Sequence, residues 1–322
     1  MKNRKVAVIG IGHVGAHVAN SLALQGIADE ILLIDKNKEK VISENQDLND
    51  SLLYIEHAPK IHPAEFEDLG DVDVIINCVG DIVMIDGHND RDMEMTFNLE
   101  AVDSYADKIK DSGFNGVIVN VSNPCDVITR HISKKTGLPK GRVFGTGTAL
   151  DSSRLISAIS KYTGIAEESI TAYMLGEHGN KQFSPKSALS FHGLPLEALK
   201  NKDKLPEWND VQQEAIDGGW VTFSRKHCTE YGIANTAARL ARAVLEDEQV
   251  ILPVSFELDG EYGQSGLFAG VPCVIGKKGI SQVLELPLTP EEMETFKACC
   301  EGIKRNIAKA EAIDAKLNKD KE

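Results

Sequence analysis

The chain of 322 residues is 42% apolar and acidic, with 49 Asp and Glu against 35 Lys and Arg and a net charge of −14 at pH 7. This composition suffices for a packed core and argues against nucleic acids and anionic membranes as partners, since both need basic surfaces; no apolar run approaches the roughly 18 residues of a membrane span. Because the six cysteines form no C-x-x-C pair and no leader-like segment precedes the first predicted strand, we expect a cytoplasmic protein with reduced thiols and no bound metal.

The first half of the chain alternates β-branched apolar runs with helical patterns. Runs that are apolar almost throughout are typical of strands buried on both faces of a parallel sheet. The helical segments between them supply the crossover connections that such a sheet requires. The sequence therefore predicts a doubly wound parallel sheet with strands at 5–10, 30–35, 72–80, 116–121 and 142–145.

The second half of the chain mixes helices and strands differently. Helical spacing predicts one helix over 151–163, closed by Gly164, and another over 236–246. Apolar runs predict strands at 170–176, 251–258 and 271–276. A capping box at Thr289 opens a last helix, whose apolar stripe we assign to core packing.

A glycine-rich turn follows the first predicted strand. The stretch VAVIGIGHVGAHVANSLALQG (6–26) contains Gly10, Gly12 and Gly15 in the spacing G-x-G-x-x-G, at a strand-to-helix junction. Asp35 follows Gly15 by 20 residues, at the end of the next predicted strand. This context predicts a dinucleotide site, with the pyrophosphate at the helix N-terminus and Asp35 on the adenosine ribose. Because Asp35 would repel a 2′-phosphate, we expect NAD and not NADP.

Other residues are assigned to the same NAD site. The carboxyl ends of parallel strands form the ligand crevice of a doubly wound sheet. CVGD (78–81) and VSNP (121–124) both end predicted strands, although an Asn-Pro pair alone is also an ordinary turn. The cofactor residues added to the three glycines and Asp35 are His13, Val14, Gly80, Val121, Asn123 and Thr146. The sequence thus predicts an α/β protein with an N-terminal Rossmann domain over 1–145 and a C-terminal α+β domain over 146–322.

Four charged or titratable residues are candidates for chemistry. Asp151 and Arg154 lie three apart on one predicted helix and therefore share a face. His178 lies in the stretch LGEHGN (175–180), and Arg91 lies in a glycine-containing loop after a strand. Taken singly, each has an ordinary structural role: Arg91 suits a surface arginine, Asp151 and Arg154 suit a solvated pair, and His178 suits a packed histidine. Their grouping therefore decides the interpretation.

Together these residues resemble a known family. GTGTALDSSRL (145–155), MLGEHGNKQF (174–183) and CTEYGIANTAARLARAV (228–244) resemble the L-lactate/malate dehydrogenase family over essentially the whole chain, and within it the hydroxyisocaproate dehydrogenases. The resemblance implies an NAD-dependent L-2-hydroxyacid dehydrogenase, a substrate-binding role for the C-terminal domain and a homotetramer.

The resemblance also implies roles for individual residues. His178 matches the proton carrier, and Asp151 matches the carboxylate that orients it. Arg154 matches the guanidinium that binds the substrate carboxylate, and Arg91 matches the loop arginine that polarises the keto oxygen. Two more residues match positions that line substrate and nicotinamide, namely Asn123 and Thr229.

The loop between Gly80 and Arg91 bears on the choice of substrate. It contains no second arginine, and its stretch 82–85 is apolar, with Ile85 assigned to the substrate. A second carboxylate would be buried there without a cation, which disfavours malate. We expect 2-oxo acids with branched or aromatic side chains, with pyruvate as the alternative substrate of an L-lactate dehydrogenase. A non-catalytic NAD-binding protein is the remote alternative.

Overall fold

The structure, a computed structural model, describes residues 3–81, 91–179 and 181–319. Its strands are β1 (Lys5–Ile9), β2 (Glu30–Ile34), β3 (Lys60–Pro63), β4 (Val74–Asn77), β5 (Val117–Asn120), β6 (Val143–Gly145), β7 (Ile170–Thr171), β8 (Ser190–Phe191), β9 (Val250–Asp259), β10 (Ser265–Gly276) and β11 (Gly279–Val283). Its helices are α1 (His13–Leu24), α2 (Lys38–Ser51), α3 (Arg91–Asp111), α4 (Cys125–Thr136), α5 (Ala149–Thr163), α6 (Trp208–Lys226), α7 (Tyr231–Leu245) and α8 (Pro290–Lys319).

The main sheet contains the predicted parallel strands. These five strands and β3, which was not predicted, pair in the order β3-β2-β1-β4-β5-β6, so that strand order reverses between β1 and β4. This reversal defines the ligand crevice of a doubly wound sheet. The predicted α/β class and Rossmann-type sheet are therefore confirmed.

The sheet continues beyond the predicted first domain. An antiparallel ribbon of β9, β10 and β11 joins β6 through the pair Gly145 and Ser255. Three strands of the second half therefore extend the sheet of the first half, whereas β7 and β8 form a separate two-stranded sheet. Position 145 is only the point where the chain leaves the parallel strands.

β4 is shorter than its sequence predicts. A strand was expected over 72–80, but β4 ends at Asn77. The chain then passes against the glycine-rich turn, since a Cβ on Gly10 would lie 2.8 Å from the backbone carbon of Cys78. This close approach ends the strand early and brings residues 78–81 to the crevice.

The expected strand over 170–176 is mostly absent as well. Only Ile170–Thr171 pairs with β8, while Leu175 and Gly176 make isolated bridges to Phe183 and Gly270. Gly176 has a φ of +93°, a conformation that glycine adopts without steric cost. The backbone bends there and carries the following histidine away from the strand direction.

The helices agree better with the predictions. α5 covers the predicted helix and ends at Gly164 in the left-handed conformation, and the capping box of Thr289 with Glu292 opens α8. The predicted core stripe of α8 is buried at Phe296, Cys300 and Ile303. No helix in the described ranges has both the length and the apolar composition to cross a membrane.

Candidate active site

A cavity of about 400 Å³ lies at the carboxyl ends of the parallel strands. It runs from the glycine-rich turn before α1 to the helices of the second half. Its lining includes Gly12, His13, Val14, Gly80, Val121, Asn123, Thr146, Asp151, Arg154, His178 and Thr229. The fold therefore joins residues that the sequence assigned separately to cofactor, substrate and catalysis.

The glycine-rich turn is tight at two glycines and open at the third. A Cβ on Gly15 would lie 1.9 Å from the carbonyl oxygen of Gly10, and Gly10 itself has a φ of +88°. A Cβ on Gly12, by contrast, would meet no atom within 4 Å. Gly10 and Gly15 are thus required for the turn, whereas the space beside Gly12 belongs to the cavity.

Asp35 closes this turn from the end of β2. Its Oδ2 accepts a hydrogen bond of 2.7 Å from the backbone nitrogen of Ile11, and its Oδ1 accepts one of 2.9 Å from Asn37. Each carboxylate oxygen retains a lone pair for a further donor. The carboxylate is therefore fixed where two ribose hydroxyls could donate to it.

These features fit a nicotinamide dinucleotide. The open cradle at Gly12 and the N-terminus of α1 suit a pyrophosphate, and Asp35 suits a ribose. Gly80 lines the same cavity and leaves open space where a Cβ would stand. The residues of this chain are thus able to hold the cofactor that the sequence predicts.

Asp151, Arg154 and His178 form a hydrogen-bonded group at the other end of the cavity. Asp151 Oδ2 lies 2.7 Å from His178 Nδ1, and Asp151 Oδ1 accepts a bond of 2.9 Å from an Arg154 guanidinium nitrogen. Burial raises the pKa of Asp151. The charge and hydrogen bond of His178 and the charge of Arg154 lower it by more than burial raises it, so the pKa of Asp151 lies below its ordinary value. An ionised Asp151 holds the proton on Nδ1 and leaves Nε2 as the nitrogen that can exchange a proton with a ligand.

A second buried carboxylate fixes the backbone of His178. Asp126, in the first turn of α4, accepts hydrogen bonds from the backbone nitrogen of His178 at 3.0 Å and from the hydroxyl of Ser255 at 2.5 Å. Burial raises the pKa of Asp126 to about 6, although both bonds oppose this shift. Asp126 therefore ties three separate segments together behind the histidine.

The wall of the cavity beside Arg154 carries two glycines. A Cβ on Gly218 or on Gly219 would lie 3.4 Å from the Arg154 side chain. Trp220 and Phe223 follow on α6, with ring centroids 6.1 Å apart in a T-shaped arrangement, and both line the cavity. This wall is therefore apolar and has little side-chain volume next to the guanidinium.

Some predicted residues lie outside the described part of the structure. Ile85 falls in the stretch 82–90, which the structure does not describe. Arg91 begins α3, but its side chain is also outside the described residues. The predictions for these two residues stay predictions.

Two residues of this site were assigned no role from the sequence. Gln182 is buried and lines the cavity. Asp126 is buried behind His178. Gln182 follows His178 by four residues, and that proximity was the only available signal. Asp126 is 52 residues from His178 in the chain, so no local spacing indicates their contact.

Comparisons with known proteins agree with this geometry. Residues 4–145 match the lactate/malate dehydrogenase NAD-binding domain, and residues 148–314 match the lactate/malate dehydrogenase alpha/beta C-terminal domain. The chain is 38% identical to an L-lactate dehydrogenase of Fusobacterium nucleatum over 311 residues, which cover 95% of this chain and 97% of that protein. It is 37% identical to L-lactate dehydrogenase 2 of Listeria monocytogenes strain F2365, over 95% of this chain and 99% of that protein.

A solved structure is similar over nearly the whole chain. The ligand-bound minor L-lactate dehydrogenase of Enterococcus mundtii superposes with a TM-score of 0.90 at 32% identity, covering 96% of this chain and 98% of that one. The predicted NAD cofactor and the predicted oxidoreductase activity on 2-hydroxy acids are thereby confirmed, whereas closeness to the hydroxyisocaproate dehydrogenases stays a prediction. The chain belongs to the lactate/malate dehydrogenase family and is an NAD-dependent oxidoreductase acting on 2-hydroxy acids.

Proposed function

We propose that this protein is an L-lactate dehydrogenase that interconverts pyruvate and L-lactate. The observation that carries the proposal is the hydrogen-bonded group of His178, Asp151 and Arg154 in one cavity with the cofactor cradle. The names of its relatives support lactate as the substrate, because the matched proteins from Fusobacterium and Listeria are L-lactate dehydrogenases. This substrate was the alternative in the sequence prediction, and the comparisons favour it over the branched or aromatic acids.

In this proposal the chain binds, orients and protonates the substrate. Arg154 pairs with the substrate carboxylate through two parallel hydrogen bonds, which fixes the position of the neighbouring carbonyl. When bound, NADH supplies the hydride that reduces the carbonyl carbon. His178 gives the proton on Nε2 to the carbonyl oxygen, and Asp151 stabilises the imidazolium before this transfer. Arg91 polarises the same oxygen, and Asn123 and Thr229 line the reacting groups.

A second candidate substrate class is favoured by the wall beside Arg154. Gly219 lines the cavity there without a side chain, and the apolar rings of Trp220 and Phe223 line it as well. A branched or aromatic side chain attached to a 2-oxo acid would gain apolar burial there, at about 1–3 kcal/mol per discriminating group. This observation keeps 2-oxoisocaproate and phenylpyruvate as competing substrates.

Initial rates with saturating NADH distinguish the two candidates. The substrates are pyruvate, 2-oxoisocaproate, phenylpyruvate and oxaloacetate, and the measured quantity is kcat/KM. We expect pyruvate to lead and oxaloacetate to come last, since the sequence between Gly80 and Arg91 contains no second arginine for its far carboxylate. A tenfold preference for a bulky acid, about 1.4 kcal/mol, would replace lactate dehydrogenase by the second candidate.

The organisation of the molecule follows from the same proposal. Residues 1–145 bind the cofactor and residues 146–322 bind the substrate, which is supported by the two family domains that meet near position 145. We also propose a cytoplasmic homotetramer. The exposed apolar side chains of Ile42, Leu53 and Tyr54 support assembly, because burial of apolar surface favours association.

A further inference from the structure

Gln182 is a buried polar residue of the cavity that the proposed mechanism does not use. It lies four residues after His178, is 6% exposed and lines the cavity. Its amide nitrogen donates a hydrogen bond of 2.8 Å to the carbonyl oxygen of Gly179, the residue that follows the histidine. This bond restrains the peptide next to His178.

The same side chain also acts on Asp151. Hydrogen bonding from Gln182 is one of the contributions that lower the pKa of Asp151 against the effect of burial, together with His178 and Arg154. His178 and Arg154 make direct hydrogen bonds to Asp151, and both carry the proposed chemistry. Gln182 is the neutral member of the three side chains that lower the pKa of Asp151.

The orientation of the Gln182 amide is fixed by the Gly179 carbonyl. This oxygen can only accept a hydrogen bond, so Nε2 must face it. The amide oxygen, Oε1, is buried and has no hydrogen-bond donor among the described residues. Burying an unpaired oxygen is unfavourable, so this orientation is maintained in spite of a local penalty.

We infer that Gln182 is a positioning residue for the catalytic group. Its amide nitrogen holds the Gly179 carbonyl and so fixes the peptide that follows His178, where Asp151 presents Oδ2 to His178 and Oδ1 to Arg154. The inference rests on the proposed roles of those three residues.

A neutral donor suits this position for an electrostatic reason. A cationic side chain would neutralise Asp151 and weaken its support of the imidazolium. An ionised carboxylate would repel Asp151 and the Gly179 carbonyl. An amide fixes the geometry and leaves the charge of Asp151 available to His178.

Two substitutions test the inference. Gln182→Met preserves the length of the side chain and removes the donor, whereas Gln182→Glu supplies a donor only while its carboxyl group is protonated. Gln282→Met and Gln282→Glu on the exposed face of β11 are matched controls for composition and charge. We would measure kcat/KM from pH 5 to 9 with the 2-oxo acid that the wild-type enzyme reduces fastest, NADH affinity by fluorescence, and the thermal unfolding midpoint.

We expect Gln182→Met to lower kcat/KM about tenfold at every pH, with NADH affinity within twofold of wild type. Gln182→Glu should approach wild-type kcat/KM at the acidic end and lose activity at a lower pH than the wild-type enzyme. The Gln282 variants should follow the wild-type profile.

The inference is overturned by a Gln182→Met enzyme with wild-type kcat/KM and pH profile, or by a Gln182→Glu enzyme that is equally impaired at every pH. If Gln182→Met fails to fold, the pH dependence of Gln182→Glu alone decides. Failure of the underlying function is recognised separately, because the wild-type enzyme would then reduce none of the 2-oxo acids.

Discussion

The proposed chemistry of this protein depends on one histidine, His178, that is held from two sides. Asp151 binds the ring of His178 at Nδ1, and Asp126 binds its backbone nitrogen. The contact with Asp151 determines which ring nitrogen carries the exchangeable proton. The contact with Asp126 fixes the position of the His178 backbone from which the ring extends. A general acid works only within hydrogen-bond reach of the atom that it protonates, so both contacts matter for the proposed reaction.

Replacement of the histidine tests its proposed role. We expect His178→Gln to bind NADH with wild-type affinity, because the cofactor cradle lies at the other end of the cavity. Turnover should fall by about 10²–10⁴-fold, the usual contribution of general acid catalysis. Steady-state rates and NADH fluorescence titration measure the two effects. Near-native turnover in this variant would remove His178 from the proposed mechanism, and His192→Gln, remote from the cavity lining, serves as a control.

Single residues also show how far the sequence could be interpreted. Asp151 and Arg154 were predictable as a pair because a helix brings residues three apart to the same face. Gln182 and Asp126 were not, because their contacts depend on how distant segments pack. The hydrogen bond between Ser255 and Asp126, for example, joins residues 129 positions apart.

At the scale of elements, different glycines of the glycine-rich turn are needed for folding and for cofactor binding. A Cβ at position 12 would meet open space, and Gly12 has a φ of −79°, which alanine also adopts. We therefore expect Gly12→Ala to fold with a wild-type unfolding midpoint and to bind NADH about tenfold more weakly, a loss of about 1.4 kcal/mol.

Gly15→Ala is the matched comparison, because its Cβ would lie 1.9 Å from the Gly10 oxygen. It should lose both stability and NADH binding. Thermal unfolding and fluorescence titration of both variants check this contrast. Equal NADH affinity in Gly12→Ala and wild type would place the pyrophosphate elsewhere.

The junction of β1 and β2 gives a pH-dependent prediction. Arg4 hydrogen-bonds Asp29 just before both strands and lowers the pKa of Asp29 to about 2. Because the folded pKa lies below the unfolded value of 3.8, this pair stabilises the fold above about pH 4, and the stabilisation is lost as pH falls towards 2.

Asp29→Asn should therefore lower the free energy of unfolding at pH 7 by at most about 1 kcal/mol, since both side chains are partly exposed to solvent. The difference from wild type should shrink below pH 4. Urea denaturation at pH 7, 4 and 3 measures it, with the exposed Asp107→Asn as control. A difference that grows on acidification would contradict this account.

The elements themselves were predictable where the pattern is strong. Five of the six parallel strands are nearly continuous apolar runs, and their positions followed from the sequence. β3 was not predicted, because its sequence Lys-Ile-His-Pro has no such run. The region 170–176 misled because its apolar pattern suits a strand, whereas Gly176 turns the backbone towards the cavity. Glycine permits such a turn, but the packing of the rest of the molecule decides whether it occurs.

At the scale of the whole molecule, three exposed apolar residues bear on assembly: Ile42 on α2, and Leu53 and Tyr54 just after it. Leu53 and Tyr54 are 80% and 86% exposed in the single chain. We expect light scattering after gel filtration to give about four times the 35.1 kDa mass of the chain. Leu53→Glu combined with Tyr54→Glu should produce smaller species that still bind NADH. A monomeric wild-type protein would contradict the proposed homotetramer.

The link made by Asp126 has a consequence for the rate at which backbone protons exchange with solvent. The His178 amide lies outside any helix or strand, and such amides usually exchange within seconds when they face water. Here it donates to a buried carboxylate that also holds Ser255 on β9 and belongs to α4. Deuterium can reach it only when these three segments separate. We therefore expect the His178 amide to exchange slowly, and its exchange rate would report the opening of the proposed catalytic centre as a unit.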